Sequence, residues 1–404
     1  MPRVCQLITR LVVGGAQRLA LELTADLNER GWQAELWCGP QAGPEGTLSD
    51  EARARGVPLR LLPDLRREVS PLRDLRALAA LRRELRAGGF DLLHTHSSKA
   101  GILGREAAAA AGVPLRVHSV HGWAMTPDTP APLRRLYASL ERRAARRAHA
   151  LVAVSASVRD AGLALGIGGR EQYEVIRGGI RLGPAIDARS RTEARQRLGI
   201  LAGAVVLGTV GRLDDAKDPL GAFAALAPAL RERPELRLVF IGDGRLRAPL
   251  ERAVSAARLE ERVVLAGLRA DAAALCHAFD VFFLASRWEG FPLAIVEALA
   301  AGLPVVAYDV AGVGEAVEEG VNGRLVAPDD ARTWRARLLE LAGAPEERER
   351  MGRAARAGAI ARFDLGRMLA ATRELYERLL NREVREAPRA VPPVALPPGP
   401  AAGG

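Results

Sequence analysis

The sequence predicts an α/β protein built from two parallel-sheet domains, and three observations carry that expectation. Short apolar runs alternate with amphipathic helical periods, the pattern that specifies parallel strands joined by covering helices. The alternation stops near residues 180–190 and restarts after a polar helix, ARSRTEARQRLGI. A chain of 404 residues with 49% hydrophobic content can bury two ordinary cores, and its length favours two domains over one. No run of eighteen apolar residues occurs, and MPRVCQLITR lacks the apolar core of a signal peptide. Neither a membrane span nor secretion is therefore expected, and the expected compartment is the cytoplasm.

The cysteines, Cys5, Cys38 and Cys276, are odd in number and show no Cys-x-x-Cys spacing. They read as small core residues, with no support for disulfides or structural zinc. The net charge of +10 admits nucleic acid, anionic lipid or an acidic substrate as partner. Arginine carries almost all of it, and the abundance of Ala, Leu, Gly and Arg reads as compositional bias, so no nucleic-acid partner is expected. Lysine occurs only at Lys99 and Lys217. A compact ammonium suits a phosphate site, and chance survival of two lysines is an equal explanation.

In order, VCQLIT (4–9) reads as a strand, AQRLALELTADLNERG as an amphipathic helix and QAELWC (33–38) as the second strand. Gly14 and Gly15 lie between the first strand and helix, where an open parallel sheet binds its ligand; a tight turn without ligand reads the same way. Gly-x-Gly-x-x-Gly is missing, so no dinucleotide fingerprint is present. Strands follow at 57–62, 90–95 and 115–119, with helices at 71–87 and 99–111. His94, His96, Ser97, Ser98 and Lys99 fall at a strand's carboxyl end, where polar groups face the ligand crevice. As a metal pair His94 and His96 lack a third ligand nearby, so one packed and one exposed histidine is expected. His121 and Gly122 follow the next strand. PLRRLYASLERRAARRAHA (132–150) is a basic helix with Leu133, Leu136, Tyr137 and Leu140 near one face. Its apolar stripe is expected on the sheet with its arginines in water, and interfacial contact with anionic lipid is the second reading. ALVAVSASVRD then gives a strand and a Ser-capped helix, and 173–180 a strand leading out of the domain.

The second half runs strand, Gly211, Arg212, loop, Lys217 and helix, so both cations emerge near one strand's carboxyl end. LRLVFIGDGRLRAPLE is a strand closed by Gly242-Asp243-Gly244, a place for close-approach glycines. Gly267 and Leu268 end the next strand. In LASRWEGFPLAIVEALAAGLP (284–304) a buried-type strand ends near Ser286, a loop carries Glu289 and Gly290, Pro292 suits the first helical turn, and Gly302 closes the helix. Free N–H groups around Phe291 to Leu293, to which Pro292 itself contributes none, read as an anion site bracketed by Glu289 and Glu297. A capping acid and a solvated helix acid are the ordinary alternative. Gly312 to Glu315 is expected to begin a short helix, and helices follow at 330–342, 345–361 and 365–381.

The pattern Glu289-x7-Glu297 inside SRWEGFPLAIVEALAAGLPVVAYDVAGVGE resembles the nucleotide-sugar signature of the family 4 glycosyltransferases, retaining enzymes of the GT-B fold. The likeness spans roughly residues 3–380. It implies two Rossmann-like domains facing a deep cleft: residues 1–185 on the acceptor side, with His96, Ser98 and Lys99 as the candidates there, 186–365 binding the nucleotide sugar, and a helix at 366–382 crossing back to the first domain. The Pro- and Gly-rich tail 388–404 is expected to be disordered. By resemblance His121 reaches the donor sugar, Arg212 and Lys217 clamp its diphosphate, and backbone groups at Gly267 and Leu268 read the base. Gly15, Gly211, Gly242, Gly244, Gly290, Phe291, Pro292 and Leu293 line the donor, with Glu289 facing the sugar and Glu297 the ribose. Gly178-Gly179 stands where relatives often carry Asn-Gly.

No Asp-x-Asp occurs at a strand end, so a metal-free mechanism is expected, with no cofactor beyond a nucleoside-diphosphate sugar, UDP-linked in the first instance. A polyprenyl-linked saccharide in envelope polysaccharide or glycolipid synthesis is the first expectation for the acceptor and a soluble small molecule the second. Peripheral contact with the inner face of the cytoplasmic membrane would suit the former. The competing classes are a nucleotide-sugar epimerase of the same architecture, for which no convincing acid/base set is present, a non-catalytic nucleotide-sugar-binding protein, and an NAD-dependent oxidoreductase, disfavoured by the missing fingerprint.

Overall fold

A computed structural model describes residues 1–41, 45–126 and 128–386. The tail at 388–404, expected to be disordered, lies outside the described residues. The first domain runs β1 (Arg3–Arg10), α1 (Gly15–Glu29), β2 (Gln33–Gly39), α2 (Ser49–Ala54), β3 (Leu59–Leu61), α3 (Pro71–Gly88), β4 (Leu92–His96), α4 (Ser98–Ala111), β5 (Leu115–Val120), α5 (Ala131–Ala145), β6 (Ala150–Ala153), α6 (Ala156–Ala164) and β7 (Tyr173–Val175). Its seven strands are all parallel, in the order β3-β2-β1-β4-β5-β6-β7. The second domain holds α7 (Ala188–Arg197), β8 (Val205–Val210), α8 (Pro219–Glu232), β9 (Leu236–Ile241), α9 (Arg247–Ala257), β10 (Val263–Leu265), α10 (Ala272–Leu275), β11 (Val281–Leu284), α11 (Leu293–Ala301), β12 (Val305–Tyr308), β13 (Gly323–Val326), α12 (Ala331–Ala342) and α13 (Pro345–Arg362). Its parallel order is β10-β9-β8-β11-β12-β13.

Central strands covered by helices on both faces read as unbroken apolar runs, and every residue of β11 and β12 is buried. Helix ends follow local chemistry. Gly302 closes α11 at φ 87°, a conformation costly for any residue with a Cβ, and the Ser155 hydroxyl caps α6 by accepting from the Val158 N–H at 3.1 Å.

The strand order reverses between β1 and β4 in one sheet and between β8 and β11 in the other. Those reversals open crevices at the carboxyl ends of the strands, so the loops after β1, β4, β8 and β11 become the two walls of a site. The chain passes between domains twice, and the passages pair where Ile180 bridges Asp364. After that bridge α14 (Leu365–Glu386) lies on the first domain: Leu369, Leu375 and Tyr376 pack with Leu19, Leu23 and Leu27 of α1, and Arg373 pairs with Asp26.

Three local expectations are corrected, and two elements that the sequence did not suggest, α2 and β13, are present. Residues 312–315 form turns instead of a helix, since Gly312 sits at φ 80° beside a second glycine, Gly314, and the unpredicted strand β13 follows. The strand expected over 173–180 ends at Val175, because only its first residues find a neighbour in β6. A short helix, α2, fills the connection before β3. In α5 the apolar stripe faces outward, with Leu133, Leu136 and Leu140 exposed by 37%, 52% and 36%, while Ala138, Glu141, Ala144 and Ala145 are buried. The cause is Arg105 of α4. Fully buried, it takes Glu141 as partner at 2.6 Å and turns that face of α5 inward.

Candidate active site

The two walls meet at glycines. A Cβ on Gly15 would sit 2.9 Å from Leu293 Cδ1 of α11, and one on Gly290 would overlap the His121 carbonyl. Ser155 of the first domain donates its hydroxyl to the Gly290 carbonyl at 2.9 Å, and Gly312 lies against the same carbonyl. The turn after β5, the cap of α6 and the loop after β11 are thereby locked together. His121 and the Glu289–Leu293 stretch lie side by side across the domain boundary.

On the second wall Lys217 forms an ion pair with Glu289, both side chains largely buried. Arg212 reaches Asp214 at 3.1 Å and, across the cleft, Glu45 at 3.7 Å. Glu45 also pairs with Arg10 at the end of β1, at 2.5 Å, and the arginines hold its carboxyl below its ordinary range against the opposing effect of burial. Glu297 is half-buried in α11. Burial pushes its carboxyl up to about 6, opposed by Arg18 of α1 in the other domain. Further domain-to-domain links join Glu315 to the Ser157 N–H at 3.2 Å and to Arg177 at 2.8 Å, and Arg287 to Asp128 through two contacts of 3.0 and 3.1 Å.

The glycines at the nucleotide end have neighbours of their own. Gly242 adopts φ 140° with its α-carbon against the Gly211 carbonyl and donates its N–H to the Gly267 carbonyl at 2.8 Å. A Cβ on Gly244 would come within 2.5 Å of the Leu213 carbonyl. Close approach here is between the loops after β8, β9 and β10, whatever else those loops hold. Leu268 is exposed toward Gly46 of the first domain. Gly178 packs on Leu293 and Phe291, and Gly179 on the backbone of Asp364 and Leu365, so the Gly-Gly pair is where the interdomain passages touch.

The acceptor-side candidates separate. His96 is buried behind His121, with its Nδ1 3.0 Å from His121 Nε2, and therefore lines no open surface. Lys99 turns away to Asp74 at 2.7 Å and the Glu68 carbonyl, leaving only Ser98, half-buried at the start of α4. The expectation of one packed and one exposed histidine fails for a geometric reason. Residues two apart on a strand share a face, and α14 covers that face of β4, so His94 and His96 are both buried, with ring centres 4.3 Å apart. Gly312–Glu315 likewise does not supply a helix terminus, and Glu315 is spent on the first domain.

Sequence reasoning missed Arg10, Arg18, Glu45 and Gln6. Each is one polar residue in an ordinary setting, with no motif around it.

Comparison with known proteins agrees with this architecture. Residues 190–358 match the family model described as glycosyl transferases group 1, and residues 14–179 that of a glycosyl transferase 4-like domain. The chain is 32% identical over 324 residues to an Escherichia coli UDP-Gal:alpha-D-GlcNAc-diphosphoundecaprenol alpha-1,3-galactosyltransferase, covering 79% of this chain and 82% of that one. It is also 32% identical over 407 residues to a D-inositol 3-phosphate glycosyltransferase of Kineococcus radiotolerans, with 92% of each covered. Among solved structures, Anabaena HepE in complex with UDP and glucose superposes with a TM-score of 0.81 at 24% identity, over 94% of this chain and all of that one. Two parallel-sheet domains locked face to face through Gly15, His121 and Gly290, and relatives of this identity and coverage, lead to one conclusion: the chain belongs to the group 1, family 4 glycosyltransferases of the GT-B fold and is a glycosyltransferase.

Proposed function

We propose that the enzyme moves a hexose or N-acetylhexosamine from a UDP-sugar to an acceptor hydroxyl, with retention at the anomeric carbon and without a metal ion. The observation that carries this reading is the gathering of Arg212, Lys217 and the N-terminus of α11 on one wall, opposite His121. As the anomeric bond breaks, charge grows on the departing diphosphate, and fixed cations and helix N–H groups stabilise that charge more than the ground state. In this reading Lys217 exchanges its Glu289 partner for the diphosphate, Glu289 turns to the sugar hydroxyls, and Glu297 holds the ribose. Arg212 likewise exchanges Glu45 for phosphate oxygens. The relative that acts on a polyprenyl-diphosphate sugar, and the neighbour with UDP and glucose bound, favour a UDP-sugar donor and a lipid-linked acceptor.

A lipid-linked acceptor calls for a membrane surface. Among the described residues no helix is long and apolar enough to cross a bilayer. Val69, Leu72 and Leu75 at the start of α3 and Leu133, Leu136 and Leu140 on α5 are exposed beside arginines, on the two helices flanking α4. Such a face fits shallow contact with anionic lipid at the inner side of a cytoplasmic membrane.

The test supplies radiolabelled UDP-galactose, UDP-glucose and UDP-N-acetylglucosamine with lipid extract in the presence of EDTA. The expected result is label in the lipid fraction, with the anomeric configuration of the donor kept in the product. Activity lost to EDTA and restored by Mg²⁺ or Mn²⁺ overturns the metal-free reading. Label recovered only as free epimerised nucleotide sugar overturns transfer.

A further inference from the structure

The side of His121 that faces away from the cleft leads into a buried hydrogen-bond chain that no part of the proposed transfer uses. Tyr376, on the helix that crosses back from the second domain, meets Gln6 of β1 370 positions away: the Gln6 amide nitrogen donates to its hydroxyl at 3.0 Å. The Gln6 Oε1 lies 2.9 Å from His96 Nε2, and His96 Nδ1 lies 3.0 Å from His121 Nε2. At the other end Tyr376 Oη bonds to His94 Nδ1, whose Nε2 is 2.8 Å from the Ser119 hydroxyl. Gln6, His94, His96, Ser119 and Tyr376 are all buried.

We infer that Tyr376, Gln6 and His96 are positioning residues that hold His121 as its Nε2–H tautomer, so that Nδ1 is offered to the cleft as an acceptor for a hydroxyl of the transferring sugar. The inference rests on the cleft being the donor site.

With the Gln6 amide nitrogen on Tyr376 and its oxygen on His96, donor and acceptor roles give this result. An amide oxygen only accepts, so His96 carries its proton on Nε2 and donates to Gln6. Burial pushes His96 well below its ordinary range and His121 down to about 4, so each ring is neutral near pH 7 and holds one proton. His96 Nδ1 is then a bare acceptor, and the proton between the two rings belongs to His121 Nε2. The His121 Nδ1 is left with a lone pair and has no hydrogen-bond partner among the described residues. The direction of the whole chain is set by the Gln6 amide, whose two ends differ. In the structure that amide turns its nitrogen to Tyr376, whose hydroxyl accepts from it and keeps its own proton for His94. A turned amide would present N–H to His96, reverse each bond beyond it, and make His121 Nδ1 a donor. The crossing helix thereby reaches the donor pocket through three side chains.

The test is histidine-labelled nitrogen NMR on the full chain, with the His121 signal identified by its loss in His121→Asn, together with titrations of UDP and UDP-galactose. The wild type is expected to show the neutral Nε2–H tautomer at His121. Tyr376→Phe, which removes one hydroxyl at constant shape, and Gln6→Met are expected to give a mixture of tautomers. They should also weaken UDP-galactose about five- to tenfold, the effect of one hydrogen bond, with free UDP affinity unchanged. If Gln6→Met does not fold, Tyr376→Phe carries the test. A wild-type Nδ1–H tautomer, or an Nε2–H tautomer and donor affinity that both variants keep, overturns the inference. If wild type binds neither UDP nor UDP-galactose, the donor-site reading fails, while the tautomers still decide the chain.

Discussion

At the residue scale, each ion pair in the cleft joins groups that chemistry assigns to different tasks. Lys217 and Glu289 neutralise each other when nothing else is bound. Lys217→Ala removes charge that the departing diphosphate needs and leaves a largely buried carboxylate unpaired. Its kcat is expected to fall by about 10²-fold or more, with a stability loss of about 1–3 kcal/mol visible in thermal unfolding; an unchanged kcat would remove Lys217 from the transition state. Glu289→Gln should lower turnover while free UDP binds nearly as before. Glu297 behaves differently because burial raises its carboxyl to about 6. The ionised carboxylate accepts from both ribose hydroxyls at once, whereas the protonated acid has lost one acceptor oxygen, so UDP affinity should rise as pH passes upward through about 6 and level off above it. Glu297→Gln should bind UDP more weakly and lack that step. The diphosphate titrates in both proteins, so the difference between their calorimetric profiles isolates the carboxyl, and parallel profiles would sink the ribose assignment.

At the element scale, α5 shows how one buried pair rotates a helix. Arg105 draws Glu141 inward, and the leucines a solitary helix would bury are left outside with Arg134 and Arg135. Three arginines farther along, Arg142, Arg143 and Arg147, are a poorer mutational target, because Arg142 donates to the Leu165 carbonyl and Arg143 and Arg147 pair with Glu106. The informative variant changes Leu133 and Leu136 to Gln and Arg134 and Arg135 to Glu. Wild-type protein should sediment with acidic vesicles, less so as salt rises. Near the surface each basic residue contributes about 1 kcal/mol, so the variant should lose at least about tenfold in partitioning. Undiminished vesicle binding would exclude α5 as the contact.

At the scale of the whole molecule, cores and domains do not divide the chain at one point. Residues from Ile180 to Phe363 fill the clusters of the second domain, whereas Leu365, Met368, Leu369, Leu375 and Tyr376 close a core of the first. Opposite charges such as Arg287 and Asp128 are exposed and stabilise the closed cleft by less than about 1 kcal/mol. The firmer joints are the Ile180–Asp364 bridge and the glycine contacts. A fragment of residues 180–364 should fold alone, and residues 1–178 should lack a cooperative thermal transition until 365–383 are added back. Circular dichroism of the three preparations decides this, and a sharp transition for 1–178 alone would contradict the shared core.

Local chemistry was legible without a structure. Apolar runs of strand length, Ser155 before a helix, Pro292 at a helix start and Gly302 at its end act over a few residues, so fold class and the unit around Glu289 follow from neighbours in sequence. The pairing of Arg212 with Glu45, the approach of Arg18 to Glu297, and the chain from Tyr376 to His121 did not follow from it. Those groups lie many tens to hundreds of positions apart, and nothing in their own surroundings distinguishes them. The expectation for α5 failed because periodicity says which residues share a face but not which face turns inward, a matter settled by Arg105 on another helix. His96 was misread for the same reason, since its exposure depends on a helix that returns only after both sheets are built. Sequence by itself determined most of the elements, their parallel arrangement in two sheets and the residues at the crevice mouths. Only the tertiary structure decided which of those residues face a ligand and which face one another, because that depends on distances between elements that no local preference encodes.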